Sequence, residues 1–125
     1  MLKDSGRANS NIVELVDIFP TFADYAGLPP VPGQTGRTLL PALANPLAKW
    51  DRNAYTMVMR PQGKIGYAIH TARFRYIQWD EGRAGVELYD HHSDPNEFLN
   101  LADDPGYASH RQALAKALAR FRQSL

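Results

Sequence analysis

The sequence predicts an α+β fold: a four-stranded antiparallel sheet packed against a C-terminal helix, preceded by a short N-terminal helix and an ordered Pro/Gly-rich connector. Three observations carry this reading. Four strand-like apolar runs lie between residues 54 and 89. The connections at 60–63, 72–73 and 80–85 are too short for parallel crossovers, which need about a dozen residues. The tail then repeats apolar side chains at helical spacing.

Residues 1–11 are polar and read as a flexible lead. In the stretch Asp17–Leu28, Asp17 reads as an N-cap. Pro20 falls in the first turn, where N–H groups have no helical partner. Gly27 supplies a left-handed C-cap, and Pro29 and Pro30 prevent continuation. Ile18, Phe22 and Tyr25 fall at i, i+4 and i+7 and make one apolar face. Between 28 and 53 the chain is rich in Pro and Gly, with a short helical turn over 36–43 whose Leu39, Leu40 and Leu43 are expected to pack. The strands are read at 54–59, 64–71, 74–79 and 86–89, and Ile65, Tyr67 and Ile69 alternate with Gly66, Ala68 and His70 as a half-buried strand requires.

After the last strand, Asp94-Pro95 opens a turn that Glu97 is expected to close by accepting backbone N–H groups, leaving Phe98, Leu99 and Leu101 to pack. Asp104 caps the tail helix, Pro105 takes its first position, and the body runs to about Gln123. Tyr107, Leu114, Leu118, Phe121 and Leu125 form its buried stripe. Arg111, Lys116, Arg120 and Arg122 read as a solvated face that complements the macrodipole. The chain thus divides into a lead over 1–11, a helix and connector over 12–53, and a sheet with its helix over 54–125.

A length of 125 residues allows one domain with a real core. A formal net charge of +1 argues against a nucleic-acid partner. With no cysteine, thiolate chemistry and disulfides are excluded. No apolar run approaches the ~18 residues of a membrane span, and the polar N-terminus lacks the apolar core of a signal peptide.

Three stretches carry a family likeness. Glu87-Leu88-Tyr89-Asp90, followed by Asp94-Pro95, Glu97 and Asn100-Leu101, resembles a segment near the C-terminus of the sulfatases, in the alkaline phosphatase superfamily. Val13–Leu28 resembles the segment that follows the last core strand of their catalytic domain. Gly66-Tyr67-Ala68-Ile69-His70-Thr71 with Arg75-Tyr76 is similar to a pattern of iduronate-type sulfatases in which Arg stands where this chain has His70. The resemblance implies a C-terminal subdomain whose residues 12–53 pack on a catalytic domain, and whose parent is often periplasmic, secreted or lysosomal. Calcium and a formylglycine nucleophile made from Cys or Ser in C/S-x-P-x-R are implied only for that catalytic domain. Here the one S-x-P is Ser93-Asp94-Pro95, with Glu97 where Arg is required. No catalytic residue and no metal ligand is therefore assigned to this chain, which is expected to be inactive alone.

Asp90, His91, His92 and Asp94 invite a metal reading, but adjacent histidines at a strand end point apart, so turn chemistry is the better account. Asp103-Asp104 reads as capping. The candidates for a substrate rim are Arg60, Gln62 and Lys64, on a loop between strands where Arg and Lys can grip a sulfate, together with His70. An ordinary hairpin loop is the competing account of each. Arg73 and Arg75 read as ion-pair residues, and Tyr76 and Trp79 as packing. Two other functions compete: a standalone interaction module that dimerises through the apolar face of Ile18, Phe22 and Tyr25, and, ranked last, a sheet-based RNA binder using Tyr67, Phe74 and Tyr76.

Overall fold

The computed structural model describes residues 6, 8–45, 47 and 50–124, apart from the side chain of Gln62. The chain divides into two compact units, residues 1–53 and 54–125. Most of the lead, residues 1–5 and 7, lies outside the described residues, as does Leu125. Asn9 donates from Nδ2 to the Ala42 carbonyl at 3.2 Å.

In the first unit a 3-10 turn over Leu15–Asp17 runs directly into α1, Ile18–Tyr25. Asp17 does not cap α1 through its side chain, contrary to expectation. The preceding turn gives it helical backbone angles, φ −76° and ψ −17°, rather than the extended angles from which a cap reaches forward. Its carboxylate is buried and serves three other donors. Oδ2 accepts the Glu14 N–H at 3.0 Å; Oδ1 accepts the Arg37 N–H at 2.9 Å and Arg52 Nη2 at 2.8 Å. Thr21 extends the tie, donating to the Asp17 carbonyl and accepting the Leu39 N–H at 2.9 Å.

Gly27, at φ +70°, ends α1 as expected: its N–H reaches the Asp24 carbonyl and the Leu28 N–H reaches that of Ala23, the paired bonds of a Schellman stop. The connector carries α2, Leu40–Ala44, which starts later than the expected turn. Leu39 and Leu40 are half-buried, but Leu43 is exposed because Ala42 takes the inward position. A Cβ on Gly36 would lie 1.9 Å from the Val16 carbonyl oxygen, so connector and 3-10 turn cross backbone to backbone there. Ile18, Phe22 and Tyr25 are all exposed.

The second unit is the expected meander. Strands β1 (Ala54–Met59), β2 (Ile65–His70), β3 (Phe74–Trp79) and β4 (Val86–Asp90) pair antiparallel in the order β1-β2-β3-β4. The register sets Thr56 opposite Ala68, Ala68 opposite Ile77, and Ile77 opposite Glu87. Alternation then sends Tyr67, Ile69, Phe74, Tyr76 and Leu88 to one face and Gly66, Ala68, His70, Arg75, Ile77, Trp79, Glu87 and Tyr89 to the other.

The first face packs on α3, Ala108–Gln123, through Leu114 and Leu118, with Tyr55 stacked on Phe121 at 4.0 Å between ring centroids. The tail is not helical in one piece. Asp104 accepts the Gly106 N–H at 2.8 Å and Pro105–Tyr107 form a 3-10 turn before α3. Two of the basic residues expected on its solvated face are half-buried. Arg111 donates to the Ala102 carbonyl at 2.6 Å, and Arg122 lies over the Tyr67 ring and bonds Glu81 at 2.7 Å.

The 91–101 turn departs from expectation. Asp94 reaches the Leu99 N–H at 2.8 Å, and Glu97, at φ +60°, accepts side-chain donors instead of backbone ones. That positive φ turns the Glu97 side chain back onto the sheet and the next two residues outward. Phe98 and Leu99 are 86% and 63% exposed, and only Leu101 joins the core.

Candidate functional site

The sheet face turned away from α3 gathers the polar chemistry of the second unit. At its centre a cleft of 330 Å³ is lined by Thr56, Val58, Arg60, Arg75, Trp79 and Glu87, among others. Trp79 lies over Gly66, where a Cβ would come within 2.5 Å of the indole. Its Nε1–H donates to Glu87 Oε1 at 2.6 Å, and the Tyr89 hydroxyl donates to Glu87 Oε2 at 2.7 Å. Burial, then the bond to the Glu87 anion, pushes the Tyr89 hydroxyl up to about 12, so it stays a donor. The Arg60 guanidinium stands 5.1 Å from the Trp79 ring centroid.

A second group lies toward the other end of this face. Glu97 accepts Arg75 Nη1 on both oxygens at 3.1 Å and pairs with His91 Nε2 at 2.7 Å. His91 Nδ1 in turn lies 3.2 Å from His70 Nε2, the two rings nearly perpendicular at 87°. Burial raises the Glu97 carboxyl most, but the His91 and Arg75 hydrogen bonds outweigh it and the net direction is down. His70 is lowered, by burial first and then by His91 and Arg75, with Glu97 opposing.

The expected rim residues do not converge on one point. Arg60 and Lys64 flank the β1–β2 loop, where the Arg60 N–H meets the Lys64 carbonyl at 2.8 Å and Pro61–Gly63 form a 3-10 turn. The side chain of Gln62 lies outside the described residues. His70 closes β2 at the opposite end, roughly 20 Å from Lys64 by the strand rise. The reading of the sequence missed His91 and Glu97 as partners of His70, and also the Arg60–Trp79 stack. No periodic signal marks such pairs, because each joins positions that only the register and the turn bring together.

The side chains of the acidic and histidine-rich stretch go to separate partners. Asp90 is buried and held bidentate by Arg73, at 2.9 and 2.6 Å, with the His92 N–H and the Tyr107 hydroxyl as further donors. The Arg73 hydrogen bonds, against burial and helped by the His92 N–H, lower its carboxyl to about 2. Asp94 caps backbone and His92 points to solvent. Among the described residues no group of three His, Asp or Glu side chains is arranged to hold a metal ion, and the donors here do not fit calcium, which asks for several oxygens.

The second unit is thus a meander backed by one terminal helix, with a polar outer face. The family model described as N-sulphoglucosamine sulphohydrolase, C-terminal, matches residues 2–124, and the chain belongs to that family. It is therefore a sulfatase C-terminal domain. A sulfatase of Formosa agariphila is 31% identical over 86% of this chain and 20% of its own length. The Delta 4,5-hexuronate-2-O-sulfatase of Bacteroides thetaiotaomicron is 33% identical over 84% and 23%.

Among solved structures, BT4656 in complex with its substrate D-glucosamine-2-N,6-O-disulfate superposes with a TM-score of 0.76 at 29% identity, over 86% of this chain and 23% of that one. The phosphonate monoester hydrolase of Agrobacterium radiobacter does so at 0.67 and 31%, over 86% and 24%. The chain spans about a fifth of the length of the curated relatives it matches.

Proposed function

We propose that this chain serves a sulfuric ester hydrolase by packing on its catalytic domain and shaping the rim of the substrate pocket. The observation that carries the reading is the family match over residues 2–124 in a chain about a fifth as long as its relatives. In this reading the formylglycine nucleophile and calcium belong to the remaining part, and this chain supplies no reacting group. Phe22 and Tyr25 on α1, 70% and 71% exposed, and Phe98 on its turn are apolar area that gains by being covered.

Among the described residues neither Arg60 nor Lys64 forms a close ion pair, and Lys64 acts on Asp80 only at longer range, so both can turn to meet sulfate. With Gln62 and His70 they make up the proposed rim. A sulfated sugar is the substrate class supported by the names of the Bacteroides relative and of the BT4656 ligand. The phosphonate monoester hydrolase defines the competing class.

The test is a chimera in which this chain replaces the matching segment of the Bacteroides hexuronate sulfatase. Soluble protein that releases sulfate is expected, with the Arg60→Ala/Lys64→Ala pair raising KM roughly tenfold while kcat holds. A chimera that does not assemble, beside a free chain that dimerises through Ile18, Phe22 and Tyr25, would favour the self-associating module instead.

A further inference from the structure

His70, His91 and Glu97 form a chain of hydrogen bonds whose polarity is fixed by its anionic end. The Glu97 carboxylate, 2.7 Å from His91 Nε2, can only accept, so that nitrogen carries a proton. In neutral His91 the other nitrogen, Nδ1, is then a bare acceptor. His70 Nε2, 3.2 Å away, must donate to it, and His70 Nδ1 is left as a lone pair. That last nitrogen has no partner among the described residues.

One added proton reverses the whole line. It enters at His70 Nδ1, the Nε2 proton of His70 passes to His91 Nδ1, and the charge comes to rest on the ring beside Glu97. His70 stays neutral throughout but now presents an N–H at Nδ1 instead of a lone pair. The proton count balances with no other reactant.

We propose that Glu97 and His91 are positioning residues that make His70 a proton-dependent contact: an acceptor for a sugar hydroxyl at neutral pH, and a donor to a sulfate or carboxylate oxygen once one proton is added. The groups facing His70 are consistent with a charge that settles away from it. Arg75 is its cross-strand partner on β3, His91 and Glu97 approach from the turn, and the Tyr89 hydroxyl on β4 is engaged by Glu87. On β1 its partner is the uncharged Ala54. The ligand side of this inference rests on the rim reading above; the array itself does not.

The experiment is long-range 1H–15N NMR of the histidine rings in the 125-residue chain between pH 8 and pH 5. Expected at pH 8 is a bare Nδ1 on His70. On acidification both His70 and His91 should change in one shared step, His70 exchanging tautomer without becoming imidazolium. In Glu97→Gln the shared step should move down by about one pH unit, because the charge loses its carboxylate. Independent titration of His70 to imidazolium, or a His70 tautomer unchanged in His91→Gln, would overturn the proposal.

In the chimera, KM for the sulfated sugar should follow the same step and lose that dependence in His70→Arg, which carries its charge at every pH. An NMR step with a KM indifferent to it would leave the array standing and remove His70 from the rim.

Discussion

Each unit is tied by one buried aspartate and one arginine, yet the two ties do different work. Asp17 is wholly buried in a unit where Pro20 and Ala42 are the only buried apolar side chains among those described, so its three accepted bonds stand in for a core. Asp90 is equally buried but lies beside Ile69, Leu88 and Leu118, a core that holds the sheet without it. Their arginines differ as well. Arg52 is 14% exposed and Arg73 is 49%, so losing the acid strands a desolvated charge in one case and frees a wet one in the other. A polar tie carries a fold where apolar burial is thin, and only trims it where burial is ample.

The largest effect should come from Asp17→Ala. It orphans Arg52 and two backbone N–H groups, a loss of about 3–5 kcal/mol for a broken buried pair. Hydrogen exchange should report lost protection over 14–39 with 65–90 unchanged; protection kept over 14–39 would dissolve the contrast.

Next come two glycines. In Gly36→Ala the new methyl meets Val16 backbone, which cannot swing aside, whereas in Gly66→Ala it meets the Trp79 ring, which can. Overpacking costs about 1–3 kcal/mol, and the first substitution belongs at the top of that range or above it. Thermal melts rank the pair, and Trp79 fluorescence should shift toward exposed indole in Gly66→Ala alone.

Asp90→Asn should cost less than Asp17→Ala, about 2 kcal/mol for hydrogen bonds to a charged group. Its pH dependence has a definite sign. The folded carboxyl sits at about 2, below its ordinary 3.8, so the stabilisation is complete above the ordinary value and is lost as pH falls through about 2. Acid melts of the wild type should lose more stability across that window than those of Asp90→Asn, which keeps the other lowered carboxylates, Asp17 and Glu97 among them.

Much of the fold was legible. The short connections forced antiparallel neighbours, Gly27 and the prolines marked the end of α1, and the alternation of Ile65, Tyr67 and Ile69 placed a strand. The family was legible too, in the motifs around Val13–Leu28 and Glu87–Leu101. The site was far less so. Arg60 and Lys64 could be named from a loop between strands, but Arg75, His91 and Glu97 could not be joined to His70.

By itself the sequence determined which segments are strands and helices and which stop signals separate them, because these depend on neighbours a few residues apart. The tertiary structure alone decided that Asp17 leaves its capping role for Arg37 and Arg52, 20 and 35 positions away. It alone turned Glu97 to Arg75 and His91 and left Phe98 in solvent. A carboxylate goes where donors converge, and that place is set by strand register and one left-handed residue rather than by local pattern.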